Sequence, residues 1–441
     1  MRLAVLGLWH LGQVVAAGSA SAGHQAIGWD ASGETVRNLR KGLPSVAEPG
    51  LAGQILAGLA NGTLSFEEDL AKALQGAEVA WVAFDTPVDE DDVADAGSVI
   101  SGVGQALPLM DPGTVVLVSS QLPAGSVGQL ERLAAQAGRG DLEFACSPEN
   151  LRLGQALSVF SDPDRVVCGV RTGRAKEVLQ RLFSPITDRI EWMGVESAEM
   201  TKHAINAFLA LSATFANELA SICEALGADA KEVERGLRTE GRIGPKAYLG
   251  PGLAFAGGTL ARDLGYLSIL GRKLGRPASL AEAALASNDR HKNWVVDSLA
   301  RKLGDDLSGR AVALWGLAYK PGTDTLRRSA ALEIAARLHA LGATVRAHDP
   351  AIRSIPDGNR GQLALCGSAL EAASGAQALV VCTAWPEYLE IEPGDVISSL
   401  ARPLILDPAG FLRQRMAGLG DVEYVSIGFD PGRPEMAARL E

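Results

Sequence analysis

RLAVLGLWHLG, residues 2–12, sets a short apolar run against two glycines, Gly7 and Gly12. Apolar periodicity continues to about residue 23, and a second apolar run fills 25–30. Strand, glycine turn, helix and strand in that order open a βαβ unit. Such a turn is a binding device, because the first N–H groups of a helix lack intrahelical partners and the helix dipole favours an anion there. Gly7 fits the tight turn, and Gly12 the close packing of helix on strand. Asp30 ends the second run, where an acid can bond a ribose 2′-hydroxyl and favour NAD over NADP. Trp9 and Leu11 complete the turn. Glycine at position 9 would let the backbone approach a pyrophosphate; the indole of Trp9 must swing outward, shift the cofactor or fill its place.

Beyond this turn, strand-like runs lie at 78–84, 114–118, 142–146 and 165–170, with helical periodicity between them. The alternation predicts an α/β class, with a parallel, doubly wound sheet over about 1–190. Residues 196–226 carry one helical pattern without proline or glycine, apolar around most of its circumference. The plain reading is a central core helix, and the sharper one a helix that also buries area across a homodimer. Helical patterns continue over 229–238 and 260–303, either side of a glycine-rich loop at 241–258. A second alternating region has strands at 311–316, 343–350, 378–383 and 403–407, and a helix at 329–342. The expected fold is two Rossmann-like doubly wound domains, 1–195 and 305–441, joined by a central all-helical domain at 196–304.

At 441 residues the chain exceeds a single ordinary core, and 47% hydrophobic with 21% charged residues is a globular profile. A net charge of −11 and a pI near 5.2 argue against nucleic acid or an anionic membrane as partner. An anionic ligand must then be held by helix N-termini or single arginines. Cys146, Cys168, Cys223, Cys366 and Cys382 show no metal-ligand spacing and read as reduced, buried thiols of a cytoplasmic protein, with no metal site. The N-terminus begins directly with a strand, without a signal-peptide pattern or a membrane-length apolar run.

Five segments together resemble the UDP-glucose/GDP-mannose dehydrogenase family, over about residues 2–427. They are Asp85-Thr86-Pro87; Ser147 to Arg152 (SPENLR); the helix from Glu199 through Lys202 to Asn206; the loop from Arg242 through Tyr248 to Gly257-Gly258 and Asp263; and Gly316 to Arg327. The resemblance implies a nucleotide-sugar 6-dehydrogenase that oxidises a C6 alcohol twice with NAD. The second oxidation in that family passes through a cysteine thiohemiacetal and thioester.

Lys202 and Asn206 lie one helical turn apart on one face, so an ammonium and an amide can stabilise the same developing alkoxide. The neighbours Met200, Ala204, Ile205 and Ala207 imply a buried setting for that lysine, and a buried lysine needs a reason. The resemblance gives Asp263 the role of assisting lysine with water, and Glu149 that of general base for thioester hydrolysis. It places Thr86 and Gln121 beside the cofactor, and Arg242, Tyr248, Gly257 and Lys320 on the substrate.

The departures are concentrated in the same places. Leu260 occupies the nucleophile position, and a leucine forms no thiohemiacetal. Arg262 replaces a lysine, Leu153 a second glutamate, and Asp407-Pro408-Ala409 stands where the family often has aspartate–glycine–arginine. Cys146 could supply a substitute thiol, although a buried strand cysteine is the plainer reading. Three functions fit: an NAD-dependent nucleotide-sugar oxidoreductase with altered second-step chemistry; a non-catalytic homologue that binds a nucleotide sugar or a partner and regulates; or a hydroxy-acid dehydrogenase, which the second Rossmann-like domain at 305–441 disfavours.

Overall fold

A computed structural model of the chain describes residues 1–46, 48–86, 95–149, 151, 154–256 and 258–430. Pro87, Asn150, Arg152, Leu153 and Gly257 lie outside the described residues. The chain divides into two compact units, Met1–Ile205 and Asn206–Glu441.

The first unit is built on eight strands: β1 (Arg2–Leu6), β2 (Gln25–Trp29), β3 (Leu64–Glu67), β4 (Val79–Val82), β5 (Val115–Val118), β6 (Glu143–Cys146), β7 (Val166–Gly169) and β8 (Ile190–Met193). Their order across the sheet is β3-β2-β1-β4-β5-β6-β7-β8. Apolar clusters cover both faces, which is why β1, β4 and β5 read as continuous apolar runs rather than alternating ones. The glycine turn leaves β1 beside β4, at the switch point of the strand order, where ligands of such sheets bind.

One difference from an all-parallel sheet appears at its end. β6 pairs antiparallel with β7 through Cys146 and Gly169, and β8 is parallel to β7. Among its described residues the intervening segment carries only the six-residue helix Ala156–Ser161. Its Phe160 ring packs onto Gly18 of the His10–Ser21 helix, where a Cβ would meet the ring at 2.3 Å. β3 and β8 escape sequence reading because both sit at or near the sheet edge and lack a fully buried run.

The second unit holds a six-stranded sheet of β9 (Ala311–Trp315), β10 (Thr344–His348), β11 (Ala364–Leu365), β12 (Ala378–Val381), β13 (Leu404–Leu406) and β14 (Glu423–Val425). The order is β11-β10-β9-β12-β13-β14, and every pairing is parallel. Gly316 turns sharply after β9, as Gly7 does after β1. This second turn is closed on itself, however. The buried Asp349 carboxylate accepts the N–H groups of Leu317 (2.7 Å) and Ala318 (2.8 Å), and the indole N–H of Trp385 at 3.0 Å.

The same unit contains helices Ala230–Thr239, Thr259–Lys273, Ser279–His291 and Trp294–Leu303. The single pattern expected over 260–303 is therefore three helices. Gly275, with φ +66°, and Pro277 break the first from the second.

The long helix Val195–Leu226 runs from the first unit into the second. By length and composition it alone among the described residues could cross a membrane. Yet the polar groups it buries are bonded to protein. Glu199 accepts from Gly125 N and Val127 N, His203 meets Leu122 O, and Asn217 Oδ1 accepts from Gly252 N. Glu224 Oε1 accepts the Trp294 indole at 2.8 Å and Gly428 N at 2.9 Å. The helix is less enclosed near Lys202 than its sequence implies: Ala204 is exposed and Lys202 half-buried.

All five cysteines are free; Cys146, Cys168 and Cys223 are buried, whereas Cys366 and Cys382 are only partly so, against the expectation for all five. Glu224→Ala leaves two buried N–H groups without an acceptor and should cost about 2–4 kcal/mol, read as a lowered melting temperature. Glu224→Gln keeps an acceptor oxygen and should cost less.

Candidate functional site

In the first unit the glycine turn is fixed by contact distances. A Cβ on Gly12 would stand 1.7 Å from the Gly7 carbonyl oxygen, and one on Gly7, at φ +93°, would meet Phe84 at 2.8 Å. Only glycine fits either place. Position 9 carries no such constraint: Trp9 is the N-cap of the His10–Ser21 helix, with φ −77° and ψ −163°. Its indole is 51% exposed and lies edge-on to His10, so it swings outward rather than filling the turn. No side chain caps this helix start. Asp30 follows β2 and accepts Leu8 N at 2.7 Å, which draws its carboxylate up to the turn. Leu11 is half-buried behind it.

The turn is also braced from outside. Buried Glu48 meets His10 Nε2 at 3.0 Å and accepts Gly154 N and Ala156 N, both at 2.8 Å. Gln13, fully buried, donates to Leu8 O and accepts from Ser45 N. Sequence periodicity marks neither role, since both side chains answer to backbone groups far along the chain. Thr86 is buried and its hydroxyl has no hydrogen-bond partner among the described residues. The uncapped helix start, the glycine contacts and this hydroxyl all fit a dinucleotide cofactor.

A small cavity of about 20 Å³ in the first unit brings together Gln121, Cys146, Glu149, Glu199, Lys202 and His203. Lys202 and Glu149 thus line one space. Glu149 is half-buried and its Oε2 accepts Leu151 N at 2.6 Å. Glu199 and His203 flank Lys202 on its helix and tie that helix to residues 122–127. Burial raises the Glu199 carboxyl above its usual range, although the two backbone N–H groups oppose this. Burial, reinforced by the nearby Glu199 carboxylate, pushes the Cys146 thiol far above its usual range, and burial lifts Cys168 to about 12. A thiol held protonated is a poor nucleophile, which agrees with the plainer reading of Cys146 as a buried strand cysteine.

In the second unit Asn206 Nδ2 donates to Asp263 Oδ2, and both side chains are buried. Leu260, one turn before, is half-buried against the cluster of Ala207, Ala210, Leu264, Ala281 and Ala284. Arg242 is exposed and bonds Glu240 in its own turn at 2.8 Å. Tyr248 is 53% exposed, and Lys320 half-buried. Asp407, by contrast, is fully buried and accepts Leu412 N and the Tyr424 hydroxyl, both at 2.6 Å. Sequence reasoning passed over Arg328, the one non-glycine among the described residues with positive φ (60°). Its Nη1 stands 3.3 Å from where a Cβ on Gly258 would lie.

Most of the chain, in three successive pieces, matches the models of one enzyme family. Residues 1–187 match the UDP-glucose/GDP-mannose dehydrogenase family NAD binding domain, 196–290 its central domain and 313–414 its UDP binding domain. The UDP-glucose 6-dehydrogenase of Pseudomonas aeruginosa is 34% identical, with 97% of each chain covered. This chain belongs to the UDP-glucose/GDP-mannose dehydrogenase family. The family member TuaD of Bacillus subtilis, a UDP-glucose 6-dehydrogenase, is 30% identical over 97% of this chain and 93% of its own. Among solved structures, a UDP-glucose dehydrogenase from Pyrobaculum islandicum superposes with a TM-score of 0.85 at 30% identity, covering 97% of this chain and 98% of that one. NAD is the cofactor and a nucleotide sugar the substrate class that this membership carries, and the activity is that of an oxidoreductase.

Two outcomes test the geometry of the first unit. Gly12→Ala should abolish the NAD-induced rise in melting temperature, whereas Trp9→Ala should retain it. At pH 8, native protein exposed to iodoacetamide should show no alkylation of Cys146 or Cys168 by peptide mass mapping; rapid labelling would contradict the burial argument.

Proposed function

We propose that this family member oxidises the C6 alcohol of a nucleotide sugar to the aldehyde and does not carry it on through an enzyme-bound thioester. The observation that supports this is the side chain at position 260. Leu260, at the position that the resemblance gives to the nucleophile, packs against an apolar cluster in the second unit, and Cys146, the thiol that lines one cavity with Lys202 and Glu149, is buried.

Held at the Gly7–Gly12 turn and by Asp30, NAD would supply the hydride acceptor for the alcohol carbon. The Lys202 ammonium stabilises the oxygen as its proton leaves, and Asn206 keeps one amide N–H for the same oxygen while the other is held by Asp263. Glu149 and Asp263 are proposed to hold water or the departing proton rather than to hydrolyse a thioester. Gly7, Gly12, Asp30, Thr86 and Gln121 are the proposed cofactor contacts, with Trp9 and Leu11 at their margin. Arg242, Tyr248, Gly257 and Lys320 are the proposed substrate contacts. The division 1–195, 196–304 and 305–441 fits the three matched ranges.

A homodimer is part of the proposal. Phe208, Phe215, Ile222 and Leu226 recur at spacings of seven, seven and four along the long helix and are all more than half exposed. A stripe of that kind is the seam of a helix–helix contact. A cytoplasmic location accords with free thiols throughout the described residues.

Mass spectrometry of reactions with a panel of UDP- and GDP-sugars should show NAD-dependent loss of two mass units and no uronic acid. Uronic acid from the unaltered chain would overturn the one-step reading. Lys202→Ala should lower kcat by about 10²–10³-fold, and Leu260→Cys should introduce acid formation.

A further inference from the structure

The segment 250–256 that leads to Gly258 and Leu260 forms no strand or helix, and most of its residues are partly buried. Buried backbone groups outside regular structure still require partners. Here the partners are side chains. Asn217, on the long helix, accepts Gly252 N at 2.9 Å, and His291 Nε2 bonds Gly252 O at 2.9 Å. Asn288 accepts Phe255 N at 2.9 Å and donates to Phe255 O at 2.8 Å. Asn288 and His291 are three apart on the Ser279–His291 helix and so share a face.

Four hydrogen bonds therefore hold two loop residues in the way a neighbouring strand would. The same three side chains line a polar cavity of about 230 Å³ in the second unit. On its apolar side the loop is anchored by Phe255 and Leu260, which pack on one cluster. The helix Thr259–Lys273, which carries Leu260 and Asp263, comes next in the sequence.

We infer that Asn217, Asn288 and His291 are positioning residues: a polar clamp that sets the loop at 252–255 and, through it, the start of the helix bearing Leu260 and Asp263. This rests on the functional reading above only for its effect on turnover; the clamp itself is a property of the unliganded chain. His291 acts as an N–H donor to Gly252 O, the tautomer that a carbonyl partner selects. Burial holds the ring neutral by lowering its proton affinity. A glutamine amide can reproduce that donor; a phenylalanine ring cannot.

Hydrogen exchange and kinetics on the full-length chain test the clamp together. His291→Phe and Asn288→Ala should speed exchange over 250–258 in the absence of any ligand, while exchange of β1 and the Gly7–Gly12 turn stays as it was. The KM for the nucleotide sugar should rise about tenfold or more, with the NAD-induced melting shift unchanged. His291→Gln should restore both loop protection and KM. Unchanged loop exchange in His291→Phe, or a His291→Gln variant no better than it, overturns the clamp. Absence of nucleotide-sugar turnover in the unaltered chain counts against the functional reading instead, and leaves the exchange result to decide the clamp.

Discussion

The polar side chains buried along the long helix impose the constraint on which much else rests. A buried carboxylate, amide or imidazole without a partner is costly, so each of these groups must recruit one. Within the first unit, Glu199 and His203 recruit the backbone of residues 122–127. Within the second, Asn206 recruits Asp263, Asn217 recruits Gly252, and Glu224 recruits Trp294 and Gly428. A helix that looks merely apolar in composition is, in each unit, a rail to which loops are pinned. That is why Lys202 sits on a fixed scaffold although its own surroundings are only half-buried.

Short-range sterics and two-sided burial leave marks in one dimension, and long-range polar partners do not. The first glycine turn was legible because both glycines answer to short-range sterics, and interior strands were legible because both faces are covered. Edge strand β3 carries no continuous apolar run, β11 is only two residues long, and the reversal at β7 has no local sequence signature. Lys202, Asn206, Glu149 and Asp263 stood out through the resemblance of their segments. Glu48, Gln13, Asn288 and His291 did not, since each bonds backbone atoms far away in sequence and belongs to no periodic pattern. Arg328 is marked by a left-handed backbone, which the sequence does not display.

Leu260 shows how a substitution can be read at two levels. As chemistry, a leucine offers no nucleophile. As packing it adds an aliphatic side chain to a small cluster of mostly alanines, where there is room for one. Together with Phe255 it gives the glycine-rich loop an apolar foothold opposite its polar clamp. Reverting the residue would thus change loop anchorage as well as reactivity, and the two consequences have to be measured apart.

The two sheets share one strand order but not one electrostatic fate. After β1 the helix start is uncapped, and its carboxylate neighbour Asp30 takes a single turn amide. After β9, Asp349 takes two, under the indole of Trp385. A phosphate approaching the second turn would meet a buried negative charge already seated on its donors. One fold is therefore met once with an open socket and once with the socket stoppered, so the two glycine turns differ in the backbone donors they leave for an anion.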